Sequence, residues 1–192
     1  MKKGFLKNGF TIIEVVLVLA IAGLIFIMVF VALPALQRSQ RDSARRDAMM
    51  SFIDDVKTYQ NNNRGALPKM DDDSVVVSWD KIKDDDKVKS TDANWAGFYK
   101  GYLGERFQDP DGYSYKLNVL KCGQTTDAVC DGLDAALYDK TFPNDYSMVV
   151  VVQSKCGYKD DGMAAAVGSS NPRNLSVLYR LEGSGIYCYP QN

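Results

Sequence analysis

The chain contains no histidine. Imidazole is the side chain whose ordinary pKa lies closest to neutrality. Its absence removes histidine acid–base catalysis, serine–histidine–aspartate triads and histidine-ligated zinc together. Cysteine is missing from the first 121 residues and occurs only at Cys122, Cys130, Cys156 and Cys188. Net charge is almost missing too, at −1, so bulk charge gives no reason to expect nucleic-acid binding. No internal repeat or low-complexity tract breaks the 192 residues, a length that suits one anchor segment and one globular domain.

Charge is also missing locally. The run Val15 to Leu33 has nineteen residues and no ionisable side chain. As a helix it measures roughly 28 Å, enough to cross a bilayer core. Glu14 stands immediately before it. An acid in or beside such a run costs about 2.5–3.5 kcal/mol on insertion scales, and a plain anchor would do better with leucine. Glu14 therefore requires a partner. The leader Met1 to Gly9 holds Lys2, Lys3 and Lys7 but no apolar stretch, which excludes an ordinary secretory signal. Lysines precede the run, while Arg38, Arg41, Arg45 and Arg46 follow it, so the charge rule leaves orientation open. The cysteines place the C-terminal domain outside the cell.

Pro34 is expected to kink or locally loosen the helix, which then resumes. Met49, Phe52, Ile53, Val56 and Tyr59 repeat at the spacing of one apolar face, with Arg45, Asp47, Asp54, Asp55 and Lys57 largely off it. The Asn61-Asn62-Asn63-Arg64-Gly65 segment ends the helix, which is predicted over residues 10–61. A stripe of this kind needs a surface to lie on. Tyr113 to Leu120, Tyr146 to Gln153 and Leu175 to Leu181 read as strands, with Ile186 to Tyr189 as a short addition. Asp109-Pro110-Asp111-Gly112 marks a turn before the first. Short connections favour antiparallel pairing. The fold class is α+β: a long N-terminal helix, transmembrane in its first half and amphipathic in its second, packed on a C-terminal antiparallel sheet. Residues 66–108 are loosely patterned.

Four cysteines in an exported domain read as disulfides, with three possible pairings. The preferred set is Cys122–Cys130, across a short loop, and Cys156–Cys188, which ties down the C-terminus. Each contributes about 3 kcal/mol in a chain-entropy account. A four-thiolate zinc site is the rival, but the spacings are not of the CxxC kind.

Gly9-Phe10-Thr11-Ile12-Ile13-Glu14 followed by the apolar run resembles the N-terminus of type IV pilins and pseudopilins. The resemblance is sharp over residues 7–36, with Gly23 and Pro34 also similar to the family, and architectural beyond. It divides the chain into a leader (1–9), a transmembrane and assembly helix (10–36), an amphipathic helix (37–64) and a head (65–192). It implies that a membrane prepilin peptidase cuts between Gly9 and Phe10, and that the new amine of Phe10 is N-methylated. It implies that Glu14 neutralises the amine of a neighbouring Phe10 when apolar helices bundle. A buried carboxylate alone is costly, whereas a paired one sets register. The implied product is a homo-oligomeric helical filament, drawn from the inner membrane by an assembly platform and its ATPase. Such filaments serve adhesion, twitching motility or DNA uptake at the cell surface, with DNA or a host surface as further partners. The resemblance implies no enzyme, cofactor or metal.

Other readings compete. A plain signal anchor with a stray acid is the bland version of Glu14. A pseudopilin of a type II secretion or competence system is the nearest alternative within the family. From another class come a monomeric membrane-anchored, calcium-dependent adhesin and a tethered hydrolase. Calcium candidates are Asp109 with Asp111, Asp71 to Asp73, and Asp160-Asp161, none of which fits the EF-hand pattern. The four arginines after the run read either as solvated, snorkelling side chains or as contacts with acidic patches of neighbouring subunits. Trp79, Trp95, Tyr99 and Tyr102 read as core or as adhesive surface. Asn174-Leu175-Ser176 matches a glycosylation triplet.

Overall fold

A computed structural model describes residues 9–124, 128–133, 146–182 and 185–190. The leader residues Lys2, Lys3 and Lys7 lie outside the described residues. The chain divides into two compact units, residues 1–40 and 41–192. Helix α1 (Ile12–Asn62) contributes to both.

In the first unit, Gly9, Phe10 and Thr11 precede the helix and are exposed. The Thr11 carbonyl accepts from the amides of Glu14 at 3.1 Å and Val15 at 3.3 Å, closing the first turn. Glu14 lies in that turn, where the positive end of the helix dipole favours a carboxylate. The expected kink at Pro34 does not break the element, and helical residues run through it without a gap. Ala32, Leu33, Ala35 and Leu36 around it are strong helix formers, and one missing N–H is tolerated between them. Nearly every apolar side chain from Ile12 to Leu36 is exposed, and the helix is long and apolar enough to cross a membrane.

In the second unit, α1 buries Asp42, Arg45, Met49, Phe52, Ile53, Val56 and Tyr59. The helix ends as its sequence demands. Arg64 (φ 56°) and Gly65 (φ 79°) turn left-handed, and the Gly65 amide returns to the Gln60 carbonyl at 2.7 Å. Strand β1 (Ser74–Ser78) follows, then short helices α2 (Trp79–Ile82) and α3 (Trp95–Phe98), a π-helical turn (Tyr99–Leu103) and a 3-10 turn (Gly104–Arg106). The remaining strands are β2 (Lys116–Lys121), β3 (Ser147–Val152), β4 (Ser154–Tyr158), β5 (Ala164–Gly168), β6 (Leu175–Leu181) and β7 (Gly185–Pro190).

The main sheet has the order β1-β2-β3-β6-β7. It is mixed rather than antiparallel: β2 and β3 run parallel, Leu117 beside Met148 and Val119 beside Val150. The expectation fails because residues 122–146 separate these strands. A connection of that length permits a crossover, whereas only short ones force a hairpin. One sheet face joins the α1 stripe in a single core. Leu117, Val119, Met148, Val150, Leu175 and Val177 meet Met49, Phe52, Ile53 and Val56 there. Residues 95–107 complete that core with aromatic rings. Phe52 stacks on Trp95 and Phe107, and Tyr59 meets Phe98 edge-on. Trp95 and Tyr99 are therefore core, not adhesive surface, while Trp79 and Tyr102 are half-buried.

The opposite face is covered by the β4–β5 hairpin, with Val149, Val151, Leu178, Ala165, Ala166 and Leu133 in a second cluster. The disulfides are Cys122–Cys130 and Cys156–Cys188, the pairs preferred above. The second ties β4 to β7. Gly157 is required here, because a Cβ would come within 2.6 Å of Val167 Cγ1 across the hairpin. The Asn174 triplet is closed: Ser176 is fully buried, and Asn174 Nδ2 donates to Ser169 Oγ at 3.1 Å.

Candidate functional site

Two places concentrate chemistry. The first is the start of α1. Phe10 is 85% exposed on non-helical backbone beside Gly9. Both the Gly9–Phe10 peptide and the Phe10 ring are reachable from solvent. Glu14 is exposed four residues on, and among the described residues no ion pair or side-chain hydrogen bond to it is formed within the chain. The next ionisable group along the helix is Arg38. Among the described residues, nothing meets the requirement of Glu14 for a partner. Gly23 has nothing within 4 Å of where a Cβ would stand, so packing within this chain does not demand a glycine there.

The second place, in residues 41–192, was not expected. Arg45 is 5% exposed and lies on the buried stripe of α1. Its Nε donates to Asp109 Oδ2 at 2.8 Å, and its Nη2 to Asp109 Oδ1 at 3.1 Å and Asp111 Oδ2 at 3.3 Å. Its Nη1 donates to Glu182 Oε1 at 2.6 Å and stands 3.6 Å from Asp42 Oδ1. Arg41 grips the same Glu182 with two bonds, Nε at 3.0 Å and Nη2 at 2.7 Å. The Glu182 amide donates to Asp42 Oδ1 at 2.9 Å, and the Tyr179 hydroxyl to Asp109 Oδ2 at 3.3 Å. The Asp109-Pro110-Asp111-Gly112 turn presents its acids because its backbone is closed on itself. Asp109 N donates to Tyr113 O and Gly112 N to Asp109 O, both at 2.8 Å.

Burial alone would depress the Arg45 pKa, but the bonds to Asp109 and Glu182 outweigh it and hold the guanidinium charged above its ordinary range. Arg41, against the opposing effect of burial, and then Arg45 pull Glu182 from 4.5 to about 2. A carboxyl so depressed stabilises the fold fully above its unfolded value and loses that contribution as pH falls through its folded one. The full-length chain in detergent is therefore expected to lose melting temperature as pH falls from about 4.5 towards 2. Glu182→Gln flattens that slope and lowers the melting temperature at pH 7. Identical acid profiles for the two proteins would contradict this.

This arrangement bears on two readings left open above. The arginines are not a solvated group. Arg41 and Arg45 are paired within the chain, and Arg46 lies 5.0 Å over the Tyr187 ring. Of the four, Arg38 alone is exposed, while Arg41 and Arg46 are half-buried and Arg45 is buried. Of the first calcium candidate, both oxygens of Asp109 and Oδ2 of Asp111 are turned onto Arg45. Asp161 caps its own hairpin turn through the Met163 amide at 2.9 Å, and Asp71 to Asp73 are exposed. Among the described residues, no group of three or more acids or cysteines is placed to hold a metal. The charged face of α1 was legible in principle. Asp42 and Arg45 continue the stripe spacing backwards from Met49, and a charge on a buried face demands an opposite charge.

No family model matches the chain, and neither a curated protein nor a solved structure matches it.

Proposed function

We propose that this chain is a type IV pilin-like subunit, made as a membrane-held precursor and polymerised through the apolar part of α1 into an extracellular filament. One observation carries the reading. An exposed, non-helical Gly9–Phe10 junction leads into a long helix with bare apolar sides and a single acid, Glu14, in its first turn. Such a surface needs lipid or other apolar helices around it, and both meet the same requirement. Glu14 distinguishes the two. In lipid it stays unanswered, while in a bundle the freed amine of a neighbouring Phe10 answers it. The Cys122–Cys130 and Cys156–Cys188 bonds fit a head exported to an oxidising compartment. Prepilin peptidase, an assembly platform and its ATPase are the partners this reading calls for. It covers a pilus subunit for adhesion, motility or DNA uptake, and equally a pseudopilin of a secretion or competence machine. The calcium-dependent adhesin is the weaker reading, because Arg45 engages Asp109 and Asp111, one of its three candidate groups of acids.

Mass spectrometry of the native protein tests the proposal. The expected mature chain begins at Phe10 and carries one N-methyl group. A native product that retains residues 1–9, and is never found in fibres, would overturn it.

A further inference from the structure

We propose that Thr11 is a positioning residue for the cut between Gly9 and Phe10: as the N-cap of α1 it stops the helix there and keeps the Gly9 carbonyl out of helical hydrogen bonding. The inference rests on the reading of this chain as a cleaved precursor, and names a residue that sets how readily it is cut. Helix α1 begins at Ile12, so Thr11 stands at the N-cap. Its carbonyl takes both of the first amides, Glu14 N at 3.1 Å and Val15 N at 3.3 Å. The Glu14 amide thus reaches back three residues, not the usual four. In a helix that ran further upstream, the Ile13 amide would bond the Gly9 carbonyl and the Glu14 amide the Phe10 carbonyl. Among the described residues, no amide bonds either carbonyl.

That boundary bears directly on the chemistry of the cut. Water adds to the Gly9 carbonyl carbon, and the bond from that carbon to the Phe10 nitrogen breaks. The water's hydroxyl stays on the carbon as a carboxyl group, and its proton goes to the nitrogen as the new amine. Negative charge gathers on the Gly9 carbonyl oxygen during the addition, and an enzyme stabilises it with donors of its own. An oxygen already held by Ile13, along the helix axis, is poorly placed to meet them. Threonine suits the boundary, since hydroxyl residues are favoured N-caps and β-branched ones are weak helix formers. Packing does not set it. Gly9 has nothing within 4 Å of where a Cβ would stand, and Phe10 is 85% exposed. Local cap chemistry is left to hold the junction open.

The test uses the full-length chain in detergent with a prepilin peptidase, and follows release of residues 1–9 by mass spectrometry to give kcat/KM. Thr11→Ser and Thr11→Asn keep a capping residue and are expected to stay within about twofold of wild type. Thr11→Ala and Thr11→Val lose it, and kcat/KM is expected to fall by about fivefold, the population shift one N-cap is worth. Valine copies the shape of threonine, whereas asparagine does not. A peptidase pocket that read the side chain directly would accept valine and reject asparagine, and that order would overturn the proposal. A second readout follows the helix itself. The carbonyl carbon shifts of Gly9 and Phe10 in isotope-labelled chain are expected to move towards helical values in Thr11→Ala and not in Thr11→Asn. Equal rates across the variants, or unmoved shifts in Thr11→Ala, would also overturn it and leave the precursor reading intact. If the wild-type chain is not cut between Gly9 and Phe10, the precursor reading falls, and this inference with it.

Discussion

Arg45→Ala is expected to cost the head about 3–5 kcal/mol, the usual effect of removing one partner from a buried charge pair. For a domain of this size that corresponds to a fall in melting temperature of roughly 10–15 °C. The cost comes less from bonds lost than from what is left behind. Asp109 has a fully buried side chain, and its two oxygens receive Arg45 Nε and Nη2. Without the guanidinium, that carboxylate retains the Tyr179 hydroxyl and the Asp111 amide. Neither neutralises a charge held away from water, so the turn must open to hydrate it. Opening would unpin the Asp109–Gly112 turn, which feeds Tyr115 and Phe107 into the aromatic core.

Two companions separate this account from simple loss of packing. Arg41→Ala is expected to cost less than about 1 kcal/mol, because its pair with Glu182 is a third exposed and screened by water. Arg45→Met combined with Asp109→Leu removes both charges and fills the space. It should recover most of the loss, since a buried pair replaced as a unit by apolar groups is often neutral. Thermal melts of the full chain in detergent decide the order. If Arg45→Ala melts with Arg41→Ala, the cluster is not a buried ion pair in any energetic sense.

The same cluster shows what a sequence gives up and what it keeps back. The long helix, the turn at Asp109–Gly112 and the strands β2, β3, β6 and β7 are legible, because each rests on a local periodicity or a local turn chemistry. Strand β3, with Val149 to Val151 buried on both faces, reads as a strand because an unbroken β-branched run has few other uses. Strand β1 is harder. Ser74–Ser78 sits among aspartates, and its strand identity comes from pairing with β2, Val77 beside Leu117. Strands β4 and β5 are close to illegible. Ser154–Tyr158 has no β-branched residue, and Ala164–Gly168 has only Val167 among three alanines and a glycine. They are strands because the Cys156–Cys188 bond and the cover over Val149, Val151 and Leu178 hold them there. Tertiary context overrides weak propensity in such segments. At the candidate sites the division is sharper. Gly9, Phe10 and Glu14 are contiguous and carry a motif, whereas Arg45 meets partners 64 and 137 residues away, and no pattern in sequence joins them.

Glu14→Ala is expected to abolish filaments while leaving the chain cut, methylated and held in the membrane. The substitution acts on both sides of the assembly equilibrium in the same direction. In lipid, alanine removes an acid that costs about 2.5–3.5 kcal/mol on insertion scales, so the stored subunit becomes more comfortable where it is. In the bundle, the amine of a neighbouring Phe10 is left without its counter-charge among apolar side chains, and an unpaired buried ion is strongly disfavoured. Either effect alone shifts the partition by about a hundredfold, at tenfold for each 1.4 kcal/mol. Glu14→Gln should fail nearly as completely, because it keeps the shape and loses the charge. Glu14→Asp, shorter by one methylene but still anionic, should retain measurable assembly. The readout is the mass of sheared, pelletable fibre per unit of membrane-held chain, with the N-terminus of the membrane pool checked for methylated Phe10. That check matters, since an uncut precursor would also fail to assemble, for a different reason. If Glu14→Ala forms fibres at the wild-type yield, the acid is a passenger in the helix. An apolar helix with bare sides would then be an anchor and nothing more.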